Sequence, residues 1–513
     1  MPPFISIDSN NNATLMVQGK PFLVLGGEVH NSSASSLEYM AEKVWPNVAK
    51  LNINTLLVPV YWELIEPSEG HFDFSILDGL LHQAREHDTH LILLWFGLWK
   101  NAESSYVPQW VKQDTKRFWR VITSAGTPSN CISPFCAEAI AADANAFSRL
   151  MHHIRTMDSD DSTVLMMQVE NEVGVLGTDR DRSDTANQLF MSQIPEALHA
   201  IADAGTNWDQ AFGERSAEAF MAHAFASAVE QITHAGQQQY PLPCYTNAWL
   251  RQYPWYPGSY PVGGPVESVH DIWFATAPSL TALAPDIYLP NAPSVMKRFQ
   301  SAGRPLLIPE ARQDVSTVSS ALYAYGIGSL LYSPFGIEDL EEHGDCQPAS
   351  SELLESLNID REAFNTTNTS YCLSQLNDLL SESFPAIRQY RDHHRITAFI
   401  QRDIDDRGHL IHISGMDVLL RFQRIQQSPL SSGLILDDGD GELYCLAMNC
   451  SISVGDCSMG CMNNMIEHIE EGKFVSGQWV KRRVLNGDEG AVAVFDDVPS
   501  WRRIHVSENR KKD

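Results

Sequence analysis

Two glutamates stand where hydrophobic runs end. Val164-Leu165-Met166-Met167-Gln168-Val169 reads as a buried strand and passes into Glu170-Asn171-Glu172-Val173, and Pro305-Leu306-Leu307-Ile308-Pro309 passes into Glu310-Ala311-Arg312. Apolar strands usually stop in a turn of Gly, Ser or Asn. A carboxylate there is either the first solvated residue of a loop or a group kept for chemistry. One such ending is as easily a loop as a site; two, each with polar company, favour chemistry. Paired carboxyl groups can cleave a glycosidic bond, one attacking the anomeric carbon while the other protonates the leaving oxygen, and in retaining enzymes they stand about 5 Å apart. Glu172 and Glu310 are the candidate catalytic pair, without a decision at this point on which does which. Asn171 can offer its amide to the sugar 2-OH, a bond that tightens in an oxocarbenium-like transition state; the plainer reading is a turn-forming Asn.

The elements that must bring this pair together are legible as alternation. Strand-like runs at Phe22–Leu25, Thr55–Tyr61, His90–Phe96, Val164–Val169, Leu242–Thr246, Pro285–Leu289, Leu306–Ile308 and Ser329–Ser333 are separated by helical stretches such as 36–51 and 75–87. Continuous apolar runs, in place of alternating ones, mark parallel strands covered on both faces. Eight of them with crossover helices predict a (β/α)8 TIM barrel, whose strands all end on one face, the face that carries active sites. The stretch 179–239, with its alanine-rich helix around Ala217–Ala226, is too long for one βα unit and predicts an insertion beside that face. Beyond about residue 345 the character changes. The expected division is a catalytic barrel over 1–345, a helical linker region over 346–389 and a smaller C-terminal β-rich, sandwich-like accessory domain over 390–513, with turns such as Asp437-Asp438-Gly439-Asp440-Gly441.

Bulk properties narrow the partners. With 513 residues, 43% hydrophobic and 19% charged, the chain can bury a large core. Asp and Glu number 64 against 36 Lys and Arg, and the resulting charge of −28 repels phosphate backbones and anionic lipid, so neither nucleic acid nor a membrane is an expected partner. A neutral oligosaccharide or glycoside is not repelled. A homo-oligomer is compatible with everything here. The N-terminal Met1-Pro2-Pro3-Phe4 lacks a basic region followed by an apolar one, and with nine scattered cysteines this favours a cytoplasmic location with reduced thiols, although sequons such as Asn12-Ala13-Thr14 weigh the other way. Cys457 and Cys461, with Cys445 and Cys450 upstream, have gaps a zinc site allows but no matched pairs, so buried thiols are the better reading, with no metal and no cofactor expected.

Three motifs go further. Gly26-Gly27-Glu28-Val29-His30-Asn31, the segment Trp62 to Phe74 with its Glu66-Pro67-x-x-Gly70-x-x-Asp73-Phe74 signature, and Gln168 to Gly174 resemble the β-galactosidases of glycoside hydrolase family 35, within the clan of retaining (β/α)8-barrel glycosidases. The resemblance covers most of residues 20–340, and the region after 345 is similar to the accessory domain of a divergent branch of that family. It implies that Glu172, ending the fourth strand, is the acid/base and Glu310, ending the seventh, the nucleophile. It also implies that Tyr288 hydrogen-bonds the nucleophile. Arg312 could hold the charge of Glu310, or form a surface ion pair. Where the family carries Ala-Glu-Trp-Asn after the third strand, this chain reads Gly97-Leu98-Trp99-Lys100-Asn101-Ala102. Trp99 could then stack on the sugar, with Lys100 and Asn101 bonding its hydroxyls; a Trp packed in the barrel is the alternative. Trp62, Trp95 and Trp249 are further stacking candidates. Glu28 and Glu63 are read as hydroxyl ligands or supporting acids, or equally as solvated loop carboxylates.

The expected activity is a retaining exo-β-galactosidase. Because the departures fall on sugar contacts, a β-xylosidase or β-glucosidase is the near alternative. A noncatalytic carbohydrate-binding barrel would need no carboxylate pair beside Asn171, and a phosphate-binding barrel is disfavoured by the acidic balance and the lack of a Gly-rich loop before a late helix.

Overall fold

The structure is a computed structural model and describes residues 1–203, 205–251, 254–289, 292–300, 304–340, 354, 359–423, 430–457 and 463–507. Eight parallel strands form the central sheet: β1 (Gly26–Glu28), β2 (Thr55–Tyr61), β3 (His90–Lys100), β4 (Val164–Asn171), β5 (Cys244–Trp249), β6 (Ala282–Ile287), β7 (Leu307–Ala311) and β8 (Leu331–Pro334), bonded in that order. β8 returns to lie against β1, which closes a (β/α)8 barrel. Gly26 sits at that seam, where a Cβ would stand 2.9 Å from the carbonyl oxygen of Tyr332 and 2.7 Å from the Leu331 side chain. Only glycine lets the first and last strands approach this closely.

The first strand departs from the expected Phe22–Leu25. Lys20–Phe22 pairs antiparallel with Ala13–Val17 in a small N-terminal sheet, and the barrel strand begins only at Gly26, because Asn54 takes the Leu25 N–H and the Leu23 carbonyl on its side-chain amide. The third strand is longer than its apolar run and carries Gly97 to Lys100 with it. The fifth and sixth shift relative to the sequence reading: β5 starts after Pro243, and Pro285, taken there as a strand start, lies inside β6 opposite Ala248 of β5.

Helices α1 (Ser75–Glu86), α2 (Ala137–Asp158), α3 (Ser216–Gln237), α4 (His270–Thr276), α5 (Ala292–Gln300) and α6 (Ser316–Gly326) occupy the crossovers, preceded by a helical run over 37–50. Between β4 and α3 lie short helices at Asp184–Phe190 and Trp208–Phe212, whose Phe190 and Trp208 pack against Phe220 of α3. The Glu-Pro-x-x-Gly-x-x-Asp-Phe signature is a fastening. Glu66 accepts the Trp62 indole N–H at 2.9 Å and the Gly70 N–H at 2.7 Å, and Asp73 accepts the Ser75 N–H at 2.9 Å to start α1.

Helix α7 (Thr369–Asp392) lays Leu373, Leu376 and Leu380 into the main core, and its Asn377 donates to the Leu51 carbonyl at 2.9 Å. Past it, a six-stranded and a five-stranded antiparallel sheet enclose a second apolar core that includes Val418, Leu443, Ile452 and Ile504. Two strands of the larger sheet, Ile396–Ile400 and Ser432–Asp437, pack on α6. No helix among the described residues is long and apolar enough to cross a membrane.

Candidate active site

β4 is buried along its whole length, and its end is bent by backbone that non-glycine residues seldom adopt: φ is 62° at Glu170 and 46° at Glu172. Such conformations cost on the order of 1–3 kcal/mol each and persist where the surroundings hold them. What holds them is visible. Glu170 turns back into the protein, where its carboxylate accepts the Trp99 N–H at 2.7 Å and the Leu98 N–H at 3.3 Å. Asp143, brought in by α2, accepts Leu98 N–H and the Trp95 indole N–H, both at 2.7 Å. A Cβ on Gly97 would stand 2.4 Å from Asp143 and 2.6 Å from Glu170, so glycine is required between these acids. Burial, then Asp143, pushes the Glu170 carboxyl well up, and burial lifts Asp143 to about 6. The first glutamate of Glu-Asn-Glu therefore clamps the ends of β3 and β4. The second is left facing outward from the barrel.

Around Glu172 the partners come from four strands. Its backbone N–H donates to Asn247 Oδ1 on β5 at 2.9 Å, and Asn247 Nδ2 donates to Asp286 Oδ2 on β6 at 2.7 Å. Lys100 of β3 donates to Asn171 Oδ1 at 3.0 Å, which leaves the Asn171 amide Nδ2 buried with no partner among the described residues. Glu310, on β7 beside Asp286 in register, accepts the Tyr288 hydroxyl on Oε1 at 2.6 Å, while Oε2 has no partner among the described residues. Burial first, and then the charge of Glu310, lifts the Glu172 carboxyl to about 7, although Lys100 and Asp286 pull the other way. Burial and Glu310 likewise push the Tyr288 phenol well up, which keeps it a donor.

Glu172, Glu310, Asp286, Tyr288, Lys100, Asn101, Trp249, His30, Asn31 and Phe335 line one cavity of about 420 Å³. Glu28, 1% exposed, has its carboxyl pushed well up by burial and then by the charge of Glu310. Buried polar atoms without partners among the described residues gather here: Glu28 Oε1, Asn31 Oδ1, Asn171 Nδ2, Tyr245 OH, Asp286 Oδ1 and Glu310 Oε2. Buried polar groups are normally satisfied. Such a cluster suits a ligand made of hydroxyls.

Several residues proposed from sequence lie elsewhere. Trp99 is fully buried, donates its indole N–H to the Ile132 carbonyl at 2.9 Å and packs edge-on against Phe225, so it is not a sugar-stacking surface. Glu63 points away and pairs with Lys112 at 2.8 Å. Trp62 and Trp95 are core residues bound to Glu66 and Asp143. Arg312 pairs with Asp314 and the Tyr288 carbonyl instead of Glu310. Sequence reasoning missed His30, Asn31, Asn247, Asp286 and Phe335. Asp286 carried the same signal as Glu310, an acid in an apolar run, whereas His30 is fixed by Asp339, 2.7 Å away after the last strand, which only barrel closure brings near.

Cys445 and Cys450 are buried free thiols, their acidity weakened by burial; Cys461 lies outside the described residues. In the β-rich domain His468, Glu470 and His505 approach one another, but the two imidazoles stack with centroids 3.7 Å apart and 20° between planes, so their lone pairs run side by side. Lys481 and Arg503 already bind Glu470, at 3.1 and 3.4 Å, which makes this an ion-pair network.

Among curated proteins the sequence has no match. A β-galactosidase from Bacillus circulans sp. alkalophilus shares the fold at a TM-score of 0.53 and 11% identity, over 94% of this chain and 99% of that one. A β-galactosidase from Rahnella sp. R3 aligns at 0.48 and 14% identity over 71% of this chain, and the exo-β-1,4-mannosidase Op5Man5 from Opitutaceae bacterium strain TAV5 at 0.44 and 13% over 74%. The chain spans 56% and 63% of the lengths of these two. Residues 373–495 match a domain of unknown function (DUF5597). Residues 14–253, from the N-terminal sheet through β5 and so including Glu172, match the model of glycosyl hydrolases family 35.

Proposed function

We propose that the protein is a retaining exo-β-galactosidase in which Glu310 is the nucleophile and Glu172 the acid/base. The observation that carries this is a pair of strand-end carboxyls in one cavity with opposite surroundings. Glu172 is held near the point where it exchanges a proton at neutral pH, and Glu310 presents an unoccupied oxygen while Tyr288 grips the other. Glu310 Oε2 attacks the anomeric carbon as the glycosidic bond breaks, and Glu172 gives its proton to the departing oxygen. The glycosyl ester on Glu310 is then cleaved by a water whose proton passes to Glu172. Esterification removes the charge of Glu310, which lowers the Glu172 pKa and fits it to act as the base in the second step. Asn171 Nδ2 is placed to bond the sugar 2-OH. The choice of galactose is supported by the family model that residues 14–253 match and by the named activity of a structure that shares the fold; a cavity of this size suits the terminal unit of a glycoside.

Stereochemistry tests this reading without knowledge of the natural substrate. Proton NMR of early hydrolysis of an aryl β-galactoside should show the β-anomer first, because two inversions restore configuration. Appearance of the α-anomer before mutarotation would replace the scheme with direct attack by water. A second reading, a β-xylosidase or β-glucosidase, is favoured by Lys100 and Asn101 standing where the family places other sugar contacts. A panel of nitrophenyl glycosides separates the two.

The pH dependence follows from Glu172. Its carboxyl must be protonated for the first step, and with its pKa lifted to about 7 that form is present below pH 7 and lost above it. The kcat/KM profile for an alkyl or sugar aglycone should therefore fall on the alkaline side with a midpoint near 7. For a dinitrophenyl glycoside, which needs no protonation, that limb should be absent.

A further inference from the structure

Asp286 is an acid inside a strand that is buried throughout, 4% exposed itself, with Glu310 as its register neighbour on β7 and Trp249 on β5. Nothing in the double-displacement scheme uses it. Its placement is nevertheless specific. Asn247 spans from the Glu172 backbone N–H to Asp286 Oδ2, while Asp286 Oδ1, which no N–H reaches among the described residues, is free to meet the Glu172 carboxyl lining the same cavity. Two carboxyl groups can make that contact only if at least one keeps a proton.

We infer that Asp286 is a positioning residue for Glu172, a carboxylic acid that stays protonated through the cycle and donates its O–H to the Glu172 carboxylate once that group has released its own proton.

The charges around it support this state. Around Asp286 are Glu172 from the end of β4, Glu310 from β7, Glu28 from β1 and the phenols of Tyr245 and Tyr288, and the ammonium of Lys100 acts on Glu172 and Glu28. Four buried carboxyls beside one ammonium cannot all ionise. If Glu310 carries the negative charge that attack requires, Lys100 balances it and the other three hold protons. Burial first, then Glu310, Glu172 and Glu28, push the Asp286 carboxyl well up. When Glu172 protonates the leaving oxygen it becomes the second anion in the site just as Glu310 is neutralised as an ester. A fixed O–H donor against it stabilises that anion by a charge-assisted bond, without moving any proton of its own.

This inference rests on the acid/base role proposed for Glu172, and the test separates the two. Asn at 286 can still accept from Asn247 through Oδ1 and donate through Nδ2 to Glu172; Ala can do neither. For alkyl β-galactosides, Asp286→Ala should lower kcat/KM by roughly 10²-fold and move the alkaline limb to higher pH, since the Glu172 anion has lost a donor. For a dinitrophenyl galactoside the loss should be much smaller. Asp286→Asn should recover most of the rate and keep the limb in place. If both variants move the limb to lower pH, Asp286 is an anion in the working enzyme and the inference is overturned. An increase in KM with the limb unmoved in both would overturn it too, and make Asp286 a ligand of the sugar. Should the Ala variant fail to fold, as judged by its thermal melt, the Asn variant alone decides: an unmoved limb with retained rate supports the inference, and a lowered limb rejects it. Glu172→Gln is the control, because it must abolish the limb; a limb that persists there removes the acid/base assignment and this inference with it.

Discussion

Glu310→Gly lowers turnover of an aryl β-galactoside by at least ~10⁴-fold, about 5.5 kcal/mol of barrier, because no glycosyl ester can form without the attacking oxygen. The rest of the site should survive the change. Asn247, Asp286 and Lys100 reach Glu172 and Asn171 without Glu310, so the space opened by the lost side chain lies on the face from which attack comes. Added azide or formate can enter there, and azide should give the α-glycosyl azide by a single inversion. Glu310→Gln keeps an oxygen for the Tyr288 hydroxyl and should be equally inactive but not rescued, since the amide fills the space. A 2-fluoro sugar with a good leaving group should label Glu310 in the unaltered protein. Activity of the Gly variant within roughly tenfold of the parent, less than about 1.4 kcal/mol, sinks the assignment.

The proposed catalytic pair was legible because ionisable groups are costly at the end of a buried run. Burying a carboxyl without partners is unfavourable by several kcal/mol, so Glu172 and Glu310 had to be explained by something other than packing. The barrel was legible for a related reason: β2, β3 and β4 are buried on both faces and read as unbroken apolar runs. Side-chain direction was not. Trp99 and Lys100 are neighbours on β3, and the pleat sends one into the core and the other to Asn171. The motif gives no sign of this, because β3 continues through Lys100 only when Glu170 is there to take the N–H groups of Leu98 and Trp99. A clamp formed by residues about 70 positions apart has no local signature.

Asp286 and Asn247 were hidden differently. The run read as the fifth strand stops at Thr246, one residue short of Asn247, and Asp286 stands near the start of the run read as the sixth, whereas in the fold it lies near that strand's end, at the site. His30 and Phe335 meet only where β1 and β8 close the barrel, a contact between the two ends of the domain. The Glu66-Pro67 signature, informative as a family mark, proved to be scaffolding. A motif identifies a fold as readily as it identifies chemistry.

Glu172→Ala should divide the two steps of the reaction and so test the acid/base role independently of Glu310. For substrates with alkyl or sugar aglycones the first step needs its proton, and general acid catalysis is worth about 10²–10⁴-fold, so kcat/KM should fall by that amount. A dinitrophenolate leaves unaided. Its first step should lose little, and the enzyme should accumulate as the glycosyl ester, seen as a burst of phenolate followed by slow turnover. The ester is slow to hydrolyse because the water has lost its base. Azide needs no base and should restore turnover, giving the β-glycosyl azide by two inversions, the opposite anomer to that from Glu310→Gly. The alkaline limb near pH 7 should vanish with the carboxyl whose burial sets it. Equal losses on activated and unactivated substrates, or an α-azide product, would show that Glu172 is not the acid/base. The acid would then be sought among the other buried carboxyls that share its cavity, with Asp286 the first to replace.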